Sequence, residues 1–268
     1  MAIKDATAFL SQAGTWDNFY VESRIAEFRR RLYLEAFGDE YLEDAASDGY
    51  VTRSELSEMV DALGIGPGQK IADLGCGRGG PGQWIALASG AALIGIDFSE
   101  VALEQARTRA ADLSIGTVTY QRASFDKTGL DPASVDGAIS IDVIWAIPDK
   151  AAGFAEAFRI VRPGARFVFT DWERNLSPPG YPPPIKNHRP LLEASGFELE
   201  KYQLRPQSDA LRRAFYESML VHQEELMRVL DHKIAQSNLR EARAWLGLVD
   251  GIEYLQHSRR VLIAARKP

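Results

Sequence analysis

Cysteine is nearly absent from this chain of 268 residues; Cys76 stands alone. That excludes an internal disulfide and a cysteine metal cluster, and it fits a reducing cytoplasm. Positive charge is not in excess: 31 Lys and Arg against 37 Asp and Glu give a formal net charge of −6. Nothing in that balance favours nucleic acid or an anionic membrane. No apolar run reaches the roughly 18 residues of a membrane span. The N-terminus has Asp5 and lacks a basic-then-apolar leader pattern. Internal repeats and low-complexity tails are missing too. What remains is ordinary for a globular protein, 46% hydrophobic and 25% charged. The length allows one large domain, or one domain with attachments.

The most informative stretch is Ile71-Ala-Asp-Leu-Gly-Cys-Gly-Arg-Gly-Gly-Pro-Gly82. A short apolar strand runs into a glycine-rich turn, and a helix with Trp84, Ile85, Leu87 and Ala88 follows. Gly75, Gly77 and Gly80 match the G-x-G-x-x-G spacing, which lets backbone pass close to a ligand and aims free N–H groups at it. A second strand, Ala92 to Asp97, places an acid 20 residues after Gly77, where one commonly holds a pair of ribose hydroxyls. Cys76, among these glycines, reads as a small side chain that fits the turn.

Along the chain, residues 1–37 read as helical, with an apolar stripe of Val21, Ile25, Phe28, Leu32 and Ala36 ending at Gly38. Trp16, Phe19 and Tyr20 cluster before it, either as packing or as the wall of a pocket. Thr52-Arg-Ser-Glu55 fits a capping box for a helix that buries Leu56, Met59, Val60 and Leu63. From residue 70 strand and helix alternate, which marks a parallel sheet with both faces covered. Strands are expected at 70–74, 92–97, 117–122, 135–141, 165–170, 197–204 and 260–265, and helices near 81–89, 99–113 and 149–161. Arg162-Pro163-Gly164 reads as a turn before the fifth strand. Residues 175–184 contain five prolines and form an extended loop. Residues 208–256 read as two or three helices inserted before the last strand. The runs Arg29-Arg30-Arg31 and Arg212-Arg213 read as solvated, salt-bridged faces, with contact to an anionic substrate group as the alternative.

These residues resemble the class I S-adenosylmethionine-dependent methyltransferases over roughly Thr52 to Leu204 and the final strand. Ile71 to Gly77 is similar to the family's first motif and Gly95-Ile-Asp-Phe-Ser99 to its second. Asp136 to Asp142 resembles the fourth strand, and Arg159 to Gly164 followed by Arg166-Phe-Val-Phe the run into the fifth. The rival reading, a nicotinamide dehydrogenase, is disfavoured by Asp73 at the end of the first strand and by the Val161-Arg-Pro-Gly164 turn. The resemblance implies an α/β, doubly wound, seven-stranded, mostly parallel Rossmann-like sheet with its last strand antiparallel. With it go an N-terminal helical lid (1–50), a cofactor domain (51–206 and 257–268) and an inserted helical lid (207–256).

The resemblance also implies roles. Gly75 and Gly77 would pass under the methionine part of S-adenosylmethionine, with Asp73 near its amino group. Asp97 would take the ribose hydroxyls and Phe98 would cover the adenine. Ser124 and Phe125 would border the adenine, although the family usually has an acid where Ser124 stands, a departure that leaves open whether neighbouring Asp126 replaces it. Ser140, Ile141 and Asp142 would line the methionine end. Methyl transfer from a sulfonium needs no metal; the protein aligns nucleophile and methyl group and keeps water out. A base is needed only if the acceptor loses a proton. Glu173 and His188 are the catalytic candidates, with Asp171 and His222 behind them. Tyr20 and Trp145 are the substrate-contact candidates, Trp145 by cation–π attraction. The implied function is methylation of a small organic acceptor at oxygen, nitrogen or carbon, of the bacterial secondary metabolism type. A cofactor-binding relative that cyclises or eliminates, and a non-enzymatic ligand sensor, are the other two readings.

Overall fold

A computed structural model describes residues 17, 23–45, 47, 49–178, 181 and 183–268. Tyr20, Trp16, Phe19 and Val21 lie outside the described residues. Helix α1 spans Ser23–Phe37 and α2 spans Arg53–Leu63. Then come β1 (Lys70–Leu74), α3 (Gly80–Ser89), β2 (Ala92–Asp97), α4 (Glu100–Asp112), β3 (Val118–Arg122), β4 (Val135–Ile141), α5 (Lys150–Ile160) and β5 (Val161–Arg174). The chain continues with α6 (Arg189–Ala194), β6 (Glu198–Leu204), α7 (Pro206–Val221), α8 (Gln223–Val229), α9 (His232–Trp245) and β7 (Ser258–Arg266). The seven strands form one sheet in the order β3-β2-β1-β4-β5-β7-β6. Strand β7 runs antiparallel to β5 and β6, while β1 to β5 pair in parallel. The strand order reverses between β1 and β4, and ligands of open α/β sheets bind in the crevice at such a point.

The capping box expected at the start of α2 is present. Thr52 Oγ1 accepts from Glu55 N–H, and a Glu55 carboxylate oxygen accepts from Thr52 N–H. Gly64 closes the helix in the left-handed region (φ 62°), where glycine carries no Cβ penalty. Ser99 and Asp149 cap the starts of α4 and α5, their side chains accepting from the Ala102 and Ala152 N–H groups. One strand differs from expectation. The segment Arg162-Pro163-Gly164 is part of β5, held by a pairing of Val135 with Val161 and a register irregularity before Gly137. An irregularity of this kind tolerates proline, which cannot donate to a ladder. Strand β5 also continues to Arg174, because β7 pairs with it as far as Ser258.

Period-two alternation divides the strand side chains between two cores. Ile71, Leu93, Ile139, Val168 and Leu262 pack with Leu56, Met59 and Leu63 of α2. Ala72, Leu74, Ile96, Phe167, Phe169 and Ile263 pack with Phe154, Ala157 and Ile160 of α5. A third cluster joins α1 (Phe28, Leu32, Tyr33, Phe37) to α7, α8 and α9 (Phe215, Tyr216, Met219, Leu226, Leu239, Trp245). Among the described residues no helix is long and apolar enough to cross a membrane.

An ion cluster ties these layers together beneath the carboxyl edge of the sheet. Arg260, fully buried on β7, donates from Nε to both oxygens of Glu55 (2.9 and 3.1 Å) and from Nη1 to Asp142. Ser208 Oγ donates to Glu55 and the Arg260 N–H donates to Asp209, so the start of α7 joins the same cluster. A buried pair adds little net stability over an apolar substitute, but removing one partner strands the other charges. Arg260→Leu should therefore lower unfolding free energy by about 3–5 kcal/mol. Urea denaturation of the two proteins checks this, and a loss below about 1 kcal/mol would contradict the role assigned to Arg260.

Candidate active site

Three strand ends build the first half of the site. At the end of β1, Gly75 has φ 80° and Gly77 φ 50°, in the left-handed region. The N–H groups of Gly75 and Cys76 donate to Ile96 O (2.8 and 2.9 Å), which locks the turn against β2. A Cβ at Gly75 would stand 2.5 Å from Val143 Cγ1, so the close approach of the β4 loop also demands glycine. Asp97, at the end of β2, accepts from Gly77 N–H (2.8 Å) through one oxygen and from Ser99 N–H (2.9 Å) through the other. The acid picked out by its spacing from Gly77 thus also holds the glycine turn in shape. Burial raises its pKa, and these backbone hydrogen bonds oppose the rise.

Asp73 is only 2% exposed, and its carboxyl has no hydrogen-bond partner among the described residues. Burial and then the nearby Asp97 charge push its carboxyl up to about 7. Ser140, at the end of β4, is fully buried with an unpartnered Oγ. A buried carboxyl and a buried hydroxyl without partners, beside a turn whose glycines cannot carry a Cβ, suit a polar ligand with a cationic group. S-adenosylmethionine, with its amino acid end and ribose, has those groups. The fit is weaker further along. Ser124 is exposed, whereas Phe125 is buried against Gly153 and the α5 core. Phe98 and Ile141 are partly buried at the strand ends. The Cys76 thiol is buried and its pKa is raised well above its ordinary value, by burial first, so it stays protonated and inert.

Strand β5 separates the remaining candidates by alternation. Asp171 and Glu173 point to the α5 side, where His188 lies against Phe154 and Phe169. His188 Nε2 lies 2.9 Å from Asp171 and Nδ1 3.2 Å from Glu173, and the His188 N–H donates to Glu173 (2.9 Å). Glu173 also accepts from Tyr202 and Arg259. Burial pulls the imidazolium pKa down, yet the hydrogen bonds to both carboxylates outweigh it and the net shift is upward. Both ring nitrogens are engaged and the side chain is fully buried. His222 is far from this cluster in kind, part-exposed and paired with Glu35 (3.0 Å).

Trp172 and Arg174 point to the other side, opposite Arg260 and Ser258 of β7. Here Asp142, in the left-handed region (φ 59°), accepts from Tyr50 N–H (2.9 Å), Thr170 Oγ1 (3.3 Å) and Arg260. Its carbonyl accepts from Trp145 Nε1 (2.8 Å), which fixes the indole beside the end of β4. Burial raises the Asp142 pKa against the opposing charge of Arg260. Trp145, Trp172, Trp245, Tyr50, Tyr181 and Tyr216 form an aromatic enclosure around Arg174 and Arg212. The Arg212-Arg213 run is thus not one solvated face. Successive helical residues turn by about 100°, so Arg213 pairs outside with Glu253 while Arg212 is buried. The run at 29–31 does carry exposed pairs, Arg30 with Glu43 and Arg31 with Glu225. Arg174, Arg212, Arg260, Trp172 and Trp245 carried no motif. Only Arg212 had a signal, the Arg212-Arg213 run with its alternative of contact to an anionic group.

Comparison with known proteins agrees with the geometry. Residues 72–169 match a family model described as a methyltransferase domain. The chain is 34% identical over 127 residues to 24-methylenesterol C-methyltransferase 3 of Arabidopsis thaliana, covering 47% of this chain and 35% of that protein. The chain spans between a third and a half of the length of the first curated relatives it matches. Among solved structures, the [4+2]-cyclase SpnF superposes with TM-score 0.71 at 15% identity, covering 91% of this chain and 96% of that one. Phosphoethanolamine N-methyltransferase 2 of Haemonchus contortus, solved with phosphomonomethylethanolamine and S-adenosylhomocysteine, also gives 0.71, at 19% identity over 99% of this chain and 61% of that one. These likenesses show the fold.

Because Asp73 has an ordinary pKa of 3.8 and a folded one of about 7, the folded chain holds one more proton between those values. Stability should fall as pH rises through that window and level off above it. Thermal melts of the protein alone from about pH 5 to about pH 8 should show this decline, and Asp73→Asn should flatten most of it. An unchanged slope in Asp73→Asn would refute the assignment.

Proposed function

We propose that this chain, whose residues 72–169 match a family model described as a methyltransferase domain, is of the class I S-adenosylmethionine-dependent type and transfers a methyl group to a small organic acceptor at the carboxyl edge of its sheet. The observation that carries this is the turn itself: Gly77 N–H held on Asp97, with the unpartnered Asp73 and Ser140 beside it. Asp97 binds the ribose hydroxyls and Gly75 and Gly77 present backbone to the methionine part. Asp73 receives the amino group, while Phe98 and Ser124 border the adenine and Ser140 and Ile141 the methionine end.

When bound, S-adenosylmethionine supplies an electrophilic methyl group on a sulfonium. The chain's own work is to align an acceptor with it and to exclude water. Helix α1 and helices α7 to α9, which share one apolar core, act as the lid. Trp145, fixed through its indole N–H on the Asp142 carbonyl, forms the wall between the cofactor end and the lid enclosure. Glu173 and His188 act as a positioning pair. By saturating each other across β5 and the start of α6, they hold the end of β5 that carries Trp172 and Arg174.

Two experiments test these assignments. Asp97→Ala should weaken S-adenosylhomocysteine binding by about tenfold to a hundredfold in calorimetry, the loss expected for a charge-assisted hydrogen-bond pair. Wild-type protein that bound no S-adenosylhomocysteine would overturn the cofactor assignment, and a product lacking the added methyl mass would point to a cyclase or eliminase. His188→Ala should cost about 3 kcal/mol of stability by leaving buried carboxylates unpaired, while the pH profile of methyl transfer keeps its shape. Loss of one limb of that profile would make His188 the proton acceptor instead.

A further inference from the structure

Arg174 and Arg212 are each 4% exposed, on β5 and α7. Cross-strand pairing sets Arg174 opposite Ser258, and Arg212 Nη1 donates to Ser258 Oγ (3.1 Å), so the two side chains converge on one residue of β7. That hydroxyl is the one hydrogen-bond partner of the Arg212 guanidinium, and the Arg174 guanidinium has none among the described residues. The Nε atoms of both are buried without a partner. No carboxylate of the described residues lies within 4.0 Å of either guanidinium. The acids acting on them do so from farther off: Asp171 on Arg174, and Asp209, already engaged by the Arg260 N–H, on Arg212. Glu241 accepts from Tyr216.

What surrounds the pair is aromatic. The Arg212 guanidinium lies 4.0 Å from the Trp245 ring centre and 4.2 Å from that of Trp172; Arg174 lies 5.7 Å from Trp145 and 5.9 Å from Trp245. Ring faces stabilise cations, but they accept none of the in-plane N–H donors, of which each guanidinium has five. Two like charges buried side by side with no counter-ion among the described residues are costly, and surface placement would have avoided the cost. The enclosure adjoins the proposed transfer site through Trp145, whose indole is fixed on Asp142 at the end of β4.

We propose that Arg174 and Arg212 together bind an anionic group of the methyl acceptor, a carboxylate or a phosphate, while Trp145, Trp172 and Trp245 enclose the apolar part beside it. This deepens the methyl-transfer reading and rests on it. The planar forks suit paired anionic oxygens, and the missing counter-ion is then the substrate's own. The acceptor is accordingly a small aromatic or hydrocarbon acid, or a phosphate ester, with the anion on the lid side of its methylated atom.

The test uses the full chain and its own tryptophans. Wild type is titrated with inorganic pyrophosphate and, separately, benzoate at constant ionic strength, read by tryptophan fluorescence, with S-adenosylhomocysteine binding measured in parallel by calorimetry. Saturation by at least one probe is expected, and the tighter probe tells phosphate from carboxylate. Arg174→Gln and Arg212→Gln should each weaken that probe by about tenfold or more. Arg212→Lys should fall between, and exposed Arg213→Gln should match wild type. All four should bind S-adenosylhomocysteine as wild type does. In probe-free buffer Arg174→Gln should melt no lower than wild type, since an unpaired buried charge is removed; a structural arginine would give a lower melt. If wild type binds S-adenosylhomocysteine but saturates with neither probe, or the Gln variants bind the probes unchanged, the proposal falls alone. If wild type saturates with a probe yet binds no S-adenosylhomocysteine, the anion site stands and the methyl-transfer reading falls.

Discussion

Burial of Arg260 is the constraint on which the arrangement of this protein depends. A guanidinium with no solvent exposure must find its counter-charges inside the fold. It takes Glu55 from α2 and Asp142 from the end of β4, and its backbone engages Asp209 of α7. Glu55 serves twice, since the same carboxylate completes the capping box of α2. One cation therefore fixes the entry helix, the switch-point strand and the first inserted helix relative to one another. Asp142, held there in a left-handed conformation, then presents its carbonyl to Trp145 and its carboxylate to the Tyr50 N–H. The floor of the lid enclosure is set by charges packed below it.

Strand β5 decides which residues can meet. Four consecutive side chains, Asp171, Trp172, Glu173 and Arg174, all sit just past the apolar run, and by position alone each is as near to a bound methyl group as the next. Alternation sends Asp171 and Glu173 to one side, where His188 engages one oxygen of each, and Trp172 and Arg174 to the other, where the aromatic enclosure lies. Glu173 accepts through both its oxygens, and among the buried polar atoms near the carboxyl edge of the sheet, Ser140 Oγ and the Nε atoms of Arg174 and Arg212 have no partner among the described residues.

The glycine-turn half of the site and the aromatic half differ in how they are built. The first is local: a strand, a glycine turn and an acid at the next strand's end, tied by the Gly77 to Asp97 hydrogen bond. The second draws Trp145, Trp172, Arg174, Arg212 and Trp245 from β4, β5, α7 and α9, brought together by packing of the inserted helices on α1.

By itself the sequence determined the sheet, the order of its elements, the capping box at Thr52 and Glu55, and the glycine turn after β1. Each of these rests on short-range regularity, since strand period, cap spacing and glycine conformation are properties of a few neighbouring residues. Tertiary structure alone decided that β5 runs from Val161 to Arg174, that His188 is spent on Asp171 and Glu173, and that Arg212 turns inward while Arg213 turns out. It also decided that Arg174 and Arg212, 38 residues apart in the chain, meet at Ser258. Strand length depends on a partner arriving from the far end of the chain. Whether a charge is solvated or buried depends on what packs over it, and no window of local sequence contains that information.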